Sequence, residues 1–294
     1  MDSLLYSAEQ YFKDRKFPLV TSYHKQRGTV PHVHDFNELV IVRNGSGRHI
    51  TENLSYAISA GDVFVMRPHF KHYYSDTNNL ELINILYCPE KLNIPQFDLR
   101  NIPGYYALFE AEPSLLEKGQ FRSRLSLDVE QLADIEKVVS KLYNELRLHQ
   151  DGYCFTSIAY LMQIISYLSR SYSSHGGRFS QRLLRVSTMM NFIEHNFMHK
   201  ISLDDIIRKG NMSPSTANRA FRDAMDMTPI DYLMKVRIEY AVRLMKTTTF
   251  SIMEIAGKSG FGDSNYFSKQ FRRIMGYSPR AYRKQQLSDS TRTN

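Results

Sequence analysis

Apolar residues follow different rhythms along this chain, and the changes of rhythm divide it. Between residues 20 and 90 the pattern is that of short strands. The β-branched run Glu38-Leu39-Val40-Ile41-Val42 stops at Asn44-Gly45-Ser46-Gly47, which reads as a turn, and Gly61-Asp62 introduces Val63-Phe64-Val65-Met66 ahead of Pro68. A further run covers Leu80 to Tyr87. Strands at this spacing predict a small barrel or sandwich. From residue 128 the period lengthens: Val129, Leu132, Ile135, Val139, Leu142 and Leu146 recur every three or four positions, as do Ile158, Leu161, Ile165 and Leu168. Two amphipathic helices joined at Gln150-Asp151-Gly152 predict a helical hairpin, one face covering the barrel and the other free to pair with a second subunit or to pack within the chain.

The remainder is helical and repeats itself. Ser173-Ser174-His175-Gly176-Gly177-Arg178 reads as a linker, so the expected domains are 1–172, a linker at 173–180, 181–286, and a disordered polar tail at 287–294. A shift of fifty residues places Gly210 on Gly260, Arg219 on Lys269, Phe221 on Phe271, Arg222 on Arg272, Pro229 on Pro279 and Tyr232 on Tyr282. Each unit reads as helix, tight turn, helix and a proline-marked corner. Ser202 with Asp205, and Ser251 with Glu254, are capping pairs; Ser213 precedes Pro214 at the start of a second helix. In that helix Ala217, Phe221, Ala224 and Met225 form the inward stripe, matched by Phe267, Phe271 and Ile274 in the second unit. Ser215, Asn218, Arg219 and Arg222 form the outward stripe, matched by Ser264, Asn265, Ser268, Lys269 and Arg272. Pro229 to Lys246 reads as one helix between them, long enough at about 1.5 Å per residue to hold two such helices in successive major grooves about 34 Å apart.

Charge sharpens this picture. The net formal charge of +8 is concentrated in residues 181–286, which carry 18 Lys/Arg against 9 Asp/Glu. A basic domain with polar stripes on paired helices points to double-stranded DNA. Arg and Lys match guanine O6 and N7, Asn matches adenine N6 and N7, and Arg222, Arg272 and Arg273 suit phosphates. The aromatic rings of Phe221, Phe267 and Phe271 lie on inward stripes, against RNA binding by stacking. Cys88 and Cys154 are the only cysteines, too few for a disulfide framework or a four-cysteine zinc site. No apolar run approaches the length of a membrane span, and Met1 to Lys16 has no apolar signal core, so a reducing cytoplasm is expected.

The stretch Ile252, Glu254-Ile255-Ala256, Gly260-Phe261, Asp263-Ser264, Tyr266-Phe267, Lys269, Phe271-Arg272, Gly276, Ser278-Pro279 and Tyr282-Arg283 resembles the signature of the AraC/XylS family of bacterial regulators. Arg237-Ile238-Glu239, Ala241 and Leu244-Met245 resemble its connecting helix. The resemblance implies that Ser215, Asn218 and Arg219, and Ser264, Asn265 and Lys269, face bases. Asp226 stands where the family usually has glycine. The N-terminal part resembles the cupin sensor of the same family. His34-Asp35-Phe36, Glu38, Val40-Ile41-Val42, Gly45, Gly47, Asn79-Leu80, Leu82, Asn84 and Leu86-Tyr87 are similar to rhamnose-responsive members. The implied fold is α+β: a cupin-like β-barrel with a helical hairpin, then an all-α domain with two helix-turn-helix units. The implied function is a non-enzymatic, dimeric DNA-binding regulator without a cofactor, an activator that answers to a sugar such as rhamnose, contacts RNA polymerase and controls a carbohydrate-use operon.

His32, His34 and Glu38 have the His-x-His-x3-Glu spacing of metal-binding cupins, and on one strand they share a face. His72 offers a fourth polar group from a later strand. Three readings stay open: binding of an effector's hydroxyls, which is the expected one, binding of a metal such as zinc, nickel or ferrous iron, or a polar relic satisfied internally. A metal-dependent cupin enzyme or metal sensor fused to DNA-binding helices is the alternative function.

Overall fold

The computed structural model describes residues 4–12, 16–95, 98–119, 124–174 and 178–290. The chain forms two compact units, Met1–Ser187 and Thr188–Asn294.

The first unit is built on one eight-stranded sheet. Its strands are β1 (Leu4–Tyr6), β2 (Leu19–Lys25), β3 (His32–His34), β4 (Asn37–Thr51), β5 (Ser55–Ser59), β6 (Asp62–Met66), β7 (His72–Tyr87) and β8 (Leu125–Ser126). The order is β1-β3-β7-β4-β6-β8, with β2 also paired to β7 and β5 to β4. The two long strands are the spine. They run antiparallel from Asn37 opposite Tyr87 to Thr51 opposite His72.

The turn expected at Asn44–Gly47 is instead a bulged stretch inside β4, with register shifts between Val42 and Asn44, Asn44 and Ser46, and Ser46 and Arg48. Gly45 takes φ 75°, and a Cβ there would lie 2.1 Å from the Asn79 carbonyl oxygen. The glycine therefore lets the two strands cross closely while the chain continues in the same direction. The first shift adds one residue to β4 and the next two each add one to β7, so the inward face of β4 changes parity while that of β7 does not. Val40 and Val42 are buried before the bulges, and Gly47, His49 and Thr51 after them. Val40, Val42, Ile58, Phe64, Met66, Leu80 and Leu82 close the apolar part of the core.

The expected helical hairpin is present as Val129–Leu148 and Tyr153–Ser174. Asp128 and Gln131 make a reciprocal capping box, and the connection turns through His149 (φ 50°) and Gly152 (φ 82°). The first hairpin helix docks on the sheet: Ser140 Oγ lies 3.2 Å from Tyr23 Oη, and Arg43 donates from Nε to Glu136 at 3.1 Å. Ile135, Val139 and Leu142 are buried, whereas Val129 and Phe155 are exposed. Beneath the hairpin, a π-helical stretch Tyr106–Ala111 leads into Glu112, whose buried carboxylate accepts from Tyr172 Oη at 2.6 Å.

The Ser-rich linker expected at 173–180 is helical wherever it is described. Ser173 and Ser174 end the second hairpin helix, donating from Oγ to the carbonyls of Ser169 and Ser171, and the helix Arg178–Asn196 begins after residues 175–177, which lie outside the described residues. Serine here prolongs a helix by bonding back to it, although its composition suggested a loop. The boundary between the units falls inside Arg178–Asn196, after Ser187. At the other end, helix Pro279–Ser290 extends through 287–290, where a disordered tail was expected; 291–294 lie outside the described residues.

The second unit contains Leu203–Gly210, Pro214–Met225, Pro229–Thr247, Ile252–Lys258, Ser264–Met275 and Pro279–Ser290. The caps follow the sequence reading: Ser202, Ser213 and Ser251 accept from the backbone of Asp205, Thr216 and Glu254. Thr228 caps the connecting helix Pro229–Thr247 by accepting from Asp231 N. That helix is buried on more than the one stripe expected. Leu233 and Val236 are buried, and so are Met234, Ile238, Ala241 and Met245, while Tyr240 and Leu244 are half-buried. It packs against elements of both helix-turn-helix units and needs apolar residues for each.

Candidate functional site

Two sets of side chains stand out, one in each unit. In the second, the repeated helices Pro214–Met225 and Ser264–Met275 each bury one stripe, Ala217, Ala220, Phe221 and Ala224 in the first, Phe267 and Phe271 in the second. Helical spacing then turns the alternate stripe outward. Ser215, Arg219 and Arg222 are exposed, as are Ser264, Asn265, Lys269 and Arg272. Asn218 is half-buried, with its amide Nδ2 donating to the Pro214 carbonyl at 3.0 Å, so it is held along its own helix. Ser268 does the same to Ser264. Two expectations change. Ile274 is 37% exposed and lies at the edge of the inward stripe. Arg273 is tied to Asp231 of the connecting helix at 3.2 Å, which makes it a brace between helices.

The turns of the two units are built differently. Gly210 is helical and Asn211 takes the left-handed position at φ 48°; a Cβ on Gly210 would meet the Met189 side chain at 2.9 Å. Gly260, fifty residues on, itself has φ 80° and sits against the Phe197 carbonyl. Asp226 and Gly276 close the two outward-facing helices in the same left-handed conformation, φ 57° and 81°. Aspartate tolerates it better than most side chains, so the second helix ends alike in both units despite the substitution. Asp263, which caps Ser264–Met275 by accepting from Tyr266 N, was not singled out by the pattern as a cap, although its residue type and position one before the helix are the signal.

In the first unit, β3, β4 and β7 bring histidines and a glutamate together. His32 and His34 lie on β3, but Asp35 and Phe36 break the strand, so Glu38 reaches the same place from β4 and not from one continuous strand. His32 pairs opposite His72. Glu38 Oε2 is 3.4 Å from Nε2 of His34 and 3.4 Å from Nε2 of His72, and all these groups are buried. Each imidazole is oriented by its own backbone: His32 Nδ1 donates to Val30 O at 3.1 Å, His34 Nδ1 to Phe36 O at 2.6 Å, and His72 Nδ1 to Phe70 O at 3.2 Å. A carbonyl only accepts, so the proton sits on Nδ1 and Nε2 points inward. Burial alone would raise the Glu38 pKa, but the two imidazoles beside it outweigh this and hold its carboxyl well below the usual range. Burial, with the neighbouring His72 acting in the same direction, lowers the His32 pKa to about 4.

Three residues join the site that its spacing did not announce. Asn84 donates from Nδ2 to Glu38 Oε1 at 2.6 Å. Tyr74 lines the same cavity. His49 is fully buried, its ring 5.3 Å from that of His72 and its Nδ1 2.6 Å from Tyr56 Oη. Counting by two from Glu38 points away from His49, because the bulges of β4 reverse the parity in between. A cavity of about 250 Å³ opens onto His32, His34 and Glu38, with His24, Gln26, Thr29 and Asn84 on its wall. Histidine, amide and carboxylate groups facing one small space suit a polyhydroxylated molecule.

Comparison with known proteins covers both units. A model of the AraC-like ligand binding domain matches residues 19–150, and a helix-turn-helix domain model matches residues 206–285. The chain is 30% identical over 253 residues to the HTH-type transcriptional activator RhaS of Enterobacter sp. (strain 638), covering 86% of each chain. It is 27% identical over 283 residues to the activator RhaR of Mannheimia succiniciproducens, covering 96% of this chain and 97% of the relative. Among solved structures, the DNA-binding domain of AdpA in complex with a target DNA is 27% identical, with a TM-score of 0.35, over 36% of this chain and 95% of that one.

Proposed function

The chain belongs to the AraC family of DNA-binding transcription regulators, and from that premise we propose a division of labour among its side chains. Arg219, Asn218 and Ser215 in one helix, and Lys269, Asn265 and Ser264 in the other, read base edges. Arg222 and Arg272, toward the C-terminal ends of the same helices, hold phosphates. The observation that carries this is the repetition itself: two helices of identical length expose a cation at the same two places fifty positions apart, Arg219 with Lys269 and Arg222 with Arg272, with small polar residues beside them, in the part of the chain that bears the positive charge. The connecting helix of 19 residues spans about 28 Å at 1.5 Å per residue, which suits placement in neighbouring major grooves.

His32, His34 and Glu38 take the effector in the cavity of the first unit; His72, expected among them, is fully buried behind Glu38 and does not line the cavity, so it acts through Glu38. The resemblance of this part to rhamnose-responsive members supports a sugar, and the cavity is smaller than most drug-sized pockets, as a monosaccharide requires. Binding there favours one arrangement of a homodimer paired through the helical hairpin, whose Val129 and Phe155 are 88% and 83% exposed. The occupied protein then contacts RNA polymerase and activates a carbohydrate-use operon. A sugar drives this change only through unequal affinity for two arrangements. Among the described residues no helix is long and apolar enough to cross a membrane, and the expected place of action is the cytoplasm.

The test is footprinting of the full chain on promoter fragments of carbohydrate operons at graded salt, with and without a panel of sugars. The expected result is protection of two adjacent major-groove segments, lost steeply as salt rises and strengthened by one sugar. Equal affinity for promoter and random duplex under every condition would remove the reading.

A further inference from the structure

We propose that His34, Glu38 and His72 hold a divalent first-row transition-metal ion, and that the effector's hydroxyls complete its coordination shell from the adjoining cavity. The second half of this proposal rests on the effector reading above; the first half stands without it.

The spacing of the three groups fits an ion. Glu38 Oε2 lies 3.4 Å from each of the two Nε2 atoms, and the three atoms are all within 4.8 Å of one another. A charge-assisted N–H···O bond would draw nitrogen and oxygen to about 2.7–2.9 Å. Ligands held at about 2.1 Å from one tetrahedral ion stand about 3.4 Å apart. Both Glu38 separations match those of ligands on a common centre.

Polar satisfaction points the same way. Nε2 of His34 and Nε2 of His72 are buried and have no hydrogen-bond partner. Because Nδ1 of each donates to a backbone carbonyl, each Nε2 of a neutral ring presents a lone pair toward the Glu38 carboxylate. A buried carboxylate facing these two nitrogens needs positive charge beside it, which a cation held among all three atoms supplies. The outer contacts are those that orient metal ligands. Carbonyls fix both rings, and Asn84 occupies Oε1 of Glu38, leaving Oε2 to the centre. Two imidazoles and one carboxylate suit zinc, iron, cobalt or nickel and leave coordination positions open. His32, with its ring 4.3 Å from that of His72, and the cavity wall of His24, Gln26 and Asn84 border that open side. Vicinal hydroxyls entering there would meet the ion's free positions.

The experiment uses the full-length protein, stripped with chelator, dialysed, and offered Zn²⁺ or Co²⁺ alone. The expected results are about one ion retained per chain, visible Co²⁺ absorption bands with nitrogen and oxygen ligation, and a rise in Tm of several degrees with Zn²⁺. His72→Ala, His34→Gln and Glu38→Gln should each lose the bands and the rise in Tm while binding operator DNA as the parent does. A cooperative unfolding transition of the first unit at the metal-free parent's Tm verifies folding, and the conservative Gln variants keep the test decisive if His72→Ala does not fold. Substoichiometric retention in the parent, or bands unchanged in all three variants, overturns the ion site. A sugar-dependent rise in Tm in the metal-free protein would uphold the effector cavity while removing the metal's part in it. Retention of the ion with no response to any sugar would do the opposite.

Discussion

Arg237 donates from Nε to the carbonyl oxygen of Phe197 at 2.8 Å, and so fastens the connecting helix to the chain segment that precedes the first helix-turn-helix unit. Its Nη2 donates to His199 O at 2.9 Å, and its guanidinium lies over the Phe261 ring at 5.6 Å. The backbone of Gly260 completes the junction: a Cβ there would be 2.2 Å from that same Phe197 oxygen, at a φ of 80°. Gly260→Ala should therefore push apart three elements at once. The expected loss is about 2–4 kcal/mol, from the positive φ plus displacement of a buried hydrogen bond. Thermal unfolding of the full chain will measure it, and the cooperative transition of the second unit should move down. An unchanged transition would mean that the junction yields freely.

Base reading and phosphate holding predict different signatures. Lys269→Ala or Arg219→Ala should weaken binding to a cognate site by about 1–3 kcal/mol and relax preference at one or two base pairs. Arg222→Ala or Arg272→Ala should weaken all sequences alike and reduce the slope of log affinity against log salt by about one. Binding titrations against a panel of single-base-pair operator variants, at several salt concentrations, distinguish the two classes. If Lys269→Ala lowers the salt slope and leaves every base preference intact, its assignment belongs with the phosphates.

Glu112 gives the first unit a pH dependence of known sign. Burial pushes its carboxyl well above the usual range, against the opposing effects of the Tyr172 hydroxyl and Arg124. One carboxylate oxygen accepts from Tyr172, and Oε2 has no partner. A carboxyl whose folded pKa exceeds its unfolded value contributes stability that is complete below the unfolded pKa. That contribution declines as pH rises from about 4.5 toward the raised folded pKa. Glu112→Gln keeps an acceptor for Tyr172 and cannot ionise. Its unfolding transition at pH 8 should equal or exceed the parent's, and the advantage should shrink near pH 5. Denaturation at both pH values measures this; a variant that loses more stability at pH 8 than at pH 5 would contradict it.

Asn84 should matter as much as the histidines it does not resemble. Asn84→Leu removes the donor to Glu38 Oε1 and leaves that buried oxygen unpaired, at a cost of about 1–3 kcal/mol. The variant should still bind operator DNA, but its response to the effector should weaken or vanish. Reporter transcription with and without the inducing sugar, alongside operator binding, separates the two properties. Normal induction would show that Asn84 only fills space.

What the sequence made legible follows from how local each signal is. Caps, helix stripes and the fifty-residue repeat depend on neighbours within a turn or two, and Ser202, Ser213, Ser251, Phe221 and Phe271 stand where their spacing put them. The charged outward faces were equally visible, because exposure is the complement of the buried stripe. The interior of the sheet was less so. His32, His34, Glu38 and His72 were recognisable as a group, but Glu38 reaches the group across a strand break. His49 and Asn84 enter by pairings between residues far apart in sequence, and the bulges of β4 defeat the period-two count that finds inward residues. Gly210 and Gly260 occupy equivalent repeat positions for unlike reasons, one sparing room for Met189 and the other permitting a left-handed backbone. A repeat reveals which residue types correspond, but not which neighbour each has to accommodate.

The bulged stretch of β4 also makes its residue count matter more than its residue types. Removing a single residue between Val42 and Arg48 would send His49 and Thr51 out into water and carry Arg48 and Ile50 into the chamber, with the strand still paired to β7. Removing two would restore the original facing. Homologous genes should accordingly keep glycine at the position of Gly45, drift more freely at its exposed neighbours, yet gain or lose codons here in even numbers, and an odd change should mark a lineage whose sensor has stopped recognising its signal.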